Sequence, residues 1–426
     1  MNAMKPQNVL DKIGIPSKIG WGYLGILIFM MGDGIEIGWL SPYLVDRGLT
    51  VQLSATLFTA YGVTIAISSW FSGVLVEALG AKKTMLTGLL LYILGTIGFV
   101  GFGMPDLSFS TMLVTYAVRG FGYPLFAYSF LVWIAYRSPK EKLSTAAGWF
   151  WFFFTGGLNV LGAYYSSWAI IYMGHLNTMW SSLFWVTLGA FFALVLNRDK
   201  LERKKDTTAK QKVKELFKGV TIVKREPKVL LGGIVRTINT TSQFAFPVFL
   251  PLHMADFGIS TTTWLQIWGA IFTSNILFNV CFGVIGDKLG WRNTVIWFGG
   301  VSAAISTLLL YYSPEWTNGN IVMITIAGML WGASLAGYVP LSALVPSLVQ
   351  EEKGAAISIL NLGAGLPVFV GPALVGLLIG TIGSAGVIWV LAILYVISSI
   401  LTVFITLPES EQPTRQQIDC IRETKA

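Results

Sequence analysis

Residues 73–83 read GVLVEALGAKK, and residues 283–292 read GVIGDKLGWR. Each stretch ends a long apolar run and closes on a basic residue. Gly73 and Gly283 lie 210 residues apart, as do Gly80 and Gly290 and, further along, Gly122 and Gly332. Gly156 with Gly365, and Gly162 with Gly371, repeat at an offset of 209. One such match arises by chance, whereas several at one offset indicate that the chain is a duplicated unit.

The composition says in which solvent the duplicated unit folds. Of the 426 residues, 54% are hydrophobic and only 12% are charged, with a mean hydropathy of +0.67. Soluble domains carry about 25% charged residues. Runs long enough to cross about 30 Å of hydrocarbon occur near 20–45, 54–79, 84–103, 108–136, 144–170, 176–197, 229–252, 260–286, 293–312, 320–347, 354–380 and 383–407. The pattern predicts an all-α integral membrane protein with twelve transmembrane helices in two bundles of six. Residues 1–19 form an N-terminal tail, 20–197 the first bundle, 198–228 a linker, 229–407 the second bundle and 408–426 a C-terminal tail.

Charge sets the orientation. Of the 29 Lys/Arg, Arg47 lies on one side, Arg119 and Arg236 lie within spans, and all others fall on the side of the two termini. By the positive-inside rule both tails and the linker are cytoplasmic. Most of the net charge of +8 sits in the linker, and 31 residues build no nucleic-acid-binding core. Val213, Leu216, Phe217 and Val220 recur there at helical spacing among lysines, which predicts a short helix resting on anionic lipid. Cys281 and Cys420 make neither a disulfide framework nor a metal site. The polar N-terminus shows no removable signal peptide.

The paired stretches follow a pattern, Gly-x-Leu/Ile-x-Asp/Glu-x-x-Gly-x-Lys/Arg, similar to the cytoplasmic signature of the major facilitator superfamily. Gly283, Ile285, Asp287, Lys288, Gly290 and Arg292 match it well. The first copy, Gly73, Glu77 and Gly80, has Glu in place of Asp, and Ala78 and Ala81 where basic residues are common. RGFG at 119–122 resembles the fourth-helix motif of the same superfamily. The Gly-x-x-x-Gly-Pro element of its drug/proton antiporters is not matched in span five, which argues against efflux. Over its whole length the chain resembles the bacterial polyol permeases of this superfamily, carriers of ribitol and D-arabinitol. The resemblance implies alternating access by a functional monomer in the bacterial inner membrane. It also implies gating by the two signature loops and a central cavity lined by spans one, four, seven and ten.

No Gly-x-x-x-x-Gly-Lys-Ser/Thr loop is present to hold ATP, so transport must run on a gradient, without a cofactor. Only four charged residues fall well inside spans: Asp33, Glu36, Arg119 and Arg236. Each costs about 2.5–3.5 kcal/mol at a helix centre, so none faces lipid without a function. A carboxylate whose arginine partner changes between states takes up a proton on one side and releases it on the other. Asp33, Glu36, Arg119 and Arg236 are therefore the candidate proton-coupling network, with Asp33 favoured for its depth; a fixed ion bridge without proton traffic is the alternative.

Amides suit a neutral polyol because they both donate and accept hydrogen bonds. Asn239 and Gln243 in span seven and Asn275 in span eight are the candidate binders, with Tyr123, Trp331 and Tyr338 as walls for C–H faces. Asn159 and Asn361 are assigned to helix–helix ties. His175 and His253 fall near outer loops. Prolines 247, 251, 367 and 372 predict kinks in spans seven and eleven. The expected activity is pentitol import, most simply with protons. The rival of the same fold is an organic-anion or sugar-phosphate carrier, disfavoured because Asp33 and Glu36 together balance both arginines. A non-transporting nutrient sensor is a third reading. An enzyme is excluded by the lack of any nucleophile or metal cluster.

Overall fold

The computed structural model describes residues 9–139, 143–197, 199, 223–349 and 353–407. The described residues form helices and short connections, with no strand among them. Hydrocarbon offers backbone groups no hydrogen-bond partner, so each apolar run satisfies its own. Seven helical runs are long and apolar enough to cross a membrane. Twelve spans result because two of these runs are double. Thr145–Leu196 turns back at Gly174 (φ 74°) and Pro367–Val403 at Gly383 (φ 68°). Tyr165 accordingly donates to Ser181 across the first of these reversals, at 3.0 Å.

The remaining three spans fall short for local reasons. Span one is broken between Gly20–Gly34 and Leu40–Asp46. Span four is broken at Phe121, between Phe109–Gly120 and Gly122–Arg137. Span seven is one 30-residue helix, Pro227–Asp256, diluted by Arg236, Asn239 and Gln243. Prolines 247 and 251 lie inside that continuous helix, whereas span eleven is interrupted as expected, between Lys353–Gly365 and Pro367.

The duplication is visible in the backbone. Gly48 (φ 112°) and Gly258 (φ 77°) turn the chain into spans two and eight, and Gly80 (φ 88°) and Gly290 (φ 89°) turn it out of them. A side chain in that left-handed region is strained, which is why glycine recurs. Thr50 caps span two by accepting from the Leu53 N–H at 3.2 Å, and Ser260 caps span eight from the Thr263 N–H at 3.2 Å. One match shifts. Gly120, rather than Gly122, lies on the Tyr61 carbonyl as Gly332 lies on that of Ile271, so spans four and ten correspond at an offset of 212.

Each bundle has its own apolar core, and helices approach closely where glycines face a neighbour's backbone. Gly25 and Gly189 meet between spans one and six, and Gly34 lies on the Leu158 carbonyl of span five. Lysines fasten the face that carries the chain ends. Lys82 donates to the Leu194 carbonyl at 2.9 Å and to that of Asn197, and Lys228 donates to the Thr406 carbonyl at 3.0 Å. Both cap the negative ends of helices. The expected linker helix around 213–220 and the tail residues 1–8 and 408–426 lie outside the described residues.

The bundles touch chiefly near the opposite face. Ser41 donates to the Val248 carbonyl at 2.7 Å and Gln266 to Ser167 at 3.2 Å; these are the inter-bundle side-chain hydrogen bonds among the described residues. Gly376 and Gly380 of span eleven sit against Ala55 and Gln52 of span two, and Gly269 against Tyr164. A methyl group added at Gly73, Gly148, Gly283 or Gly365 meets nothing within 4 Å, and the same holds at Gly174 and Gly383 on the other side. The described hydrogen bonds between the bundles therefore gather toward the face opposite the termini.

Close helix approach is testable at span one. Gly34→Ala puts a methyl into the Leu158 carbonyl and is expected to destabilise the chain by about 1–3 kcal/mol. A fall in the thermal midpoint of the purified protein checks this; Gly148→Ala, with open space around it, serves as the unaffected control.

Candidate functional site

Where the two bundles meet at mid-depth lies a small cavity, lined from span one by Asp33, Glu36 and Ile37 and from spans two and four by Tyr61, Tyr116 and Tyr123. Asn159 reaches it from span five, where Gly156–Leu161 loosens into a wide π-helical turn. The second bundle contributes Gln243, Phe244, Pro247, Val368 and Pro372. The free space is about 60 Å³, room for about two waters. A larger cleft of about 540 Å³ lies against spans five, eight and ten. No acid or base lines it, and Trp168 and Tyr172 on its wall are exposed on the outside of the bundle, so the charge chemistry is not there.

Three of the four intramembrane charges meet at the cavity. Arg119 is fully buried; its Nη1 is bonded to Glu36 Oε2 and its Nη2 to the Tyr92 hydroxyl. Asp33 Oδ1 lies 3.9 Å from the same Nη2. Tyr116 donates to Glu36 Oε1 at 2.7 Å and Tyr61 to Asp33 Oδ1 at 2.8 Å. The guanidinium carbon is 4.5 Å from the Tyr92 ring centre and 5.7 and 5.9 Å from those of Tyr116 and Tyr61. Burying ions is costly unless they are paired and hydrogen-bonded, and this cage supplies both.

Local sequence explains how the groups converge. Gly95 lets span three lie directly on the Arg119 backbone, and Gly120 does the same for span two at Tyr61. Gly38 (φ 92°) follows Glu36 in the break of span one. Asp33 thus belongs to the helix that ends at Gly34, while Glu36 belongs to the turn after it. The helix end and the turn after it together bring both acids near Arg119.

Arg236 stands apart. It is partly exposed in span seven, its Cβ near Gly363 of span eleven, and among the described residues it makes no ion pair and no hydrogen bond. Of the expected binders, Gln243 and Tyr123 line the cavity. Asn239, Trp331 and Tyr338 instead lie inside the second bundle. Tyr395 donates to the Asn239 carbonyl at 3.0 Å, Trp331 packs on Phe246 at 4.6 Å, and the Tyr338 hydroxyl bonds Ser398. Asn275 donates to the Gly332 carbonyl at 3.0 Å, tying span eight to span ten.

Of the signature residues, Gly80 and Gly290 make the loop turns, Gly73 and Gly283 have open space beside them, and Arg292 opens the next helix. Glu77 and Asp287 lie in helices whose side chains at those positions are outside the described set. Tyr61, Tyr92 and Tyr116 were not anticipated. Their signal was a set of mid-span phenols, which need acceptors when buried, in a half-chain whose strongest buried acceptors are two acids.

The Major Facilitator Superfamily model matches residues 22–335 and 232–419. The chain belongs to that superfamily. It is a multi-pass secondary transporter and not an enzyme. It is 57% identical over 403 residues to the putative transporter YoaB of Bacillus subtilis, covering 95% of this chain and 97% of that one. It is 52% identical over 418 residues to the alpha-ketoglutarate permease of Bacillus subtilis, covering 98% and 95%. The D-arabinitol and ribitol transporters of Klebsiella pneumoniae are each 36% identical, over 96% and 94% of this chain and 98% and 94% of theirs. The solved D-xylose-proton symporter overlays with a TM-score of 0.72 at 14% identity, covering 92% and 97%, which supports the fold.

The cage itself is testable. Arg119→Met leaves two buried acids without their cation and is expected to cost about 3–5 kcal/mol. Adding Glu36→Gln to that variant should recover part of the loss, read as thermal midpoints of the purified transporter. A single variant as stable as the parent would show that the cluster is not the anchor of the first bundle.

Proposed function

We propose that this transporter imports a small, oxygen-rich metabolite together with protons, with Asp33 as the proton-carrying group. The membrane on this reading is the bacterial cytoplasmic membrane with both termini inside, the orientation that the distribution of Lys and Arg favours. On that orientation the face where the hydrogen bonds between the bundles gather is the outer one.

The observation that carries the proposal is the unequal hold of Arg119 on its two acids. Glu36 is bonded to the guanidinium and to Tyr116; Asp33 keeps one phenol bond and lies 3.9 Å from the guanidinium. Removing the Glu36 charge strands Arg119, whereas a proton on Asp33 leaves a balanced Glu36–Arg119 pair. With Asp33 ionised the cluster holds one uncompensated negative charge in a low-dielectric site. A proton therefore relieves the cluster as the cavity closes and passes from one face to the other. Glu36 acts as the fixed counter-ion and stays ionised throughout.

Two cargo classes have support. The pentitol reading rests on the 36% identical D-arabinitol and ribitol transporters and on neutral hydrogen-bonding groups at the cavity, Gln243, Asn159 and Tyr123. A small organic acid is favoured by the 52% identical alpha-ketoglutarate permease and by the unpaired Arg236. The bookkeeping that had set both arginines against two acids does not hold in space, because both acids are at Arg119.

In proteoliposomes under an inward proton gradient, Asp33→Asn is expected to abolish uphill accumulation of labelled cargo while sparing exchange across the membrane. Labelled ribitol and alpha-ketoglutarate are supplied in parallel, with sodium replaced by choline in one arm. Uphill accumulation that persists in Asp33→Asn refutes the assignment of the proton to this residue.

A further inference from the structure

We propose that Arg236 anchors the carboxylate of an anionic cargo, a short dicarboxylate, and that its uncompensated charge couples cargo binding to protonation of Asp33. The inference rests on the proton reading above and names the cargo class of the same site.

Arg236, Thr240, Gln243 and Pro247 fall at i, i+4, i+7 and i+11 of one helix and so form one stripe along span seven. Gln243 and Pro247 line the cavity at the upper end of the stripe. Thr240 carries a buried hydroxyl with no hydrogen-bond partner among the described residues. Arg236 ends the stripe about 10 Å below Gln243 along the helix axis, toward the start of span seven. An intramembrane cation without a partner is a standing cost. Gly363, where span eleven passes Arg236, brings no side chain to offset it. The free space at the top of the cavity is only about 60 Å³, too small for a five-carbon solute, so cargo needs room beyond it, and this stripe is the polar face that continues from it. A dicarboxylate does so with one carboxylate on the guanidinium, in the bidentate geometry that suits arginine. Its other end meets the neutral donors Thr240 and Gln243. A neutral polyol would leave Arg236 unsatisfied.

The charges then explain the coupling. The groups that face Asp33 are Arg119, Glu36 and the phenols of Tyr61, Tyr92 and Tyr116. With Asp33 ionised, this cluster is net negative and opposes an anion entering the same cavity. With Asp33 protonated it is balanced, and Arg236 is the unbalanced charge that remains. Protonation therefore raises anion affinity, and by reciprocity a bound anion raises the proton affinity of Asp33. Proton and cargo travel together without direct contact between them.

The test is equilibrium binding to the purified full-length chain in nanodiscs, with no gradient, at pH 6 and pH 8. The probes are succinate, glutarate and their 2-oxo forms, with xylitol as the neutral comparison. The parent protein is expected to bind at least one dicarboxylate, undisplaced by xylitol, with affinity about tenfold higher at pH 6. Asp33→Asn should bind with equal affinity at both pH values. Arg236→Gln should lose about thirtyfold or more, and Arg236→Lys should regain part of it, with unchanged thermal midpoints excluding misfolding. Unaltered binding by Arg236→Gln, displacement by xylitol, or no dicarboxylate binding by the parent overturns the inference. Uphill accumulation by Asp33→Asn refutes the proton reading alone and leaves the binding result at Arg236 standing.

Discussion

The first bundle is organised around one guanidinium that water cannot reach. Arg119 at mid-membrane requires counter-charge, hydrogen bonds and close walls, and each requirement is met by a separate feature of the chain. Glu36 supplies the charge and Tyr92 accepts a hydrogen bond. Gly95 lets span three lie on the Arg119 backbone, and Gly120, next to Arg119 in span four, lets span two approach at Tyr61. The break after Gly34 turns Glu36 inward, where an unbroken helix would have aimed the acids less directly. Because Arg119 has one positive charge and two acidic neighbours, the site carries one surplus negative charge, and that surplus makes a proton consequential.

Much of this was legible before any coordinates. The repeat of glycines at nearly one offset pointed to two equivalent halves, and the apolar runs to twelve spans. Counting charges isolated Asp33, Glu36, Arg119 and Arg236. What stayed illegible was direction. In a soluble protein, apolar periodicity marks the inward face of a helix; in lipid the outward face is apolar as well, so Trp331, Tyr338 and Asn239 read equally as cavity wall or bundle interior. They proved interior because the second bundle needs filling, and Asn275 proved a tie between helices. Counting also treats charges as interchangeable. Two acids and two arginines balance on paper, but Arg119 is near both acids and Arg236 near neither.

The inter-bundle seal near the opposite face is of a different kind. Ser41, Ser54, Gln52, Ser167 and Gln266 are neutral, and glycines let the helices touch. Neutral contacts of this sort cost little to desolvate and little to break, so they hold a state without locking it. The charged cluster lies deeper, wholly within the first bundle, and it need not be taken apart when the bundles move. The contacts between the bundles are thus neutral and polar, and the ionic contacts lie within one bundle.

The second bundle shows what the same scaffold does without ions. At the offsets that align the helices, Trp331 stands where Arg119 stands, Phe246 where Glu36 stands, and Gln243 where Asp33 stands. The Arg119–Glu36 bond is replaced by Trp331 packed on Phe246 at 4.6 Å, within a cluster that includes Trp268 and Phe272. Rings of that size fill a bundle interior as an ion cage does, at no electrostatic cost. The duplicated halves therefore keep the residues that shape the chain, the capping hydroxyls and left-handed glycines, and differ in the residues that fill it. Of these three pairs, only Asp33 with Gln243 is polar in both halves, and both line the shared cavity. The one charge well inside a span of the second half, Arg236, lies on the same face of span seven as Gln243, nearer the start of the helix.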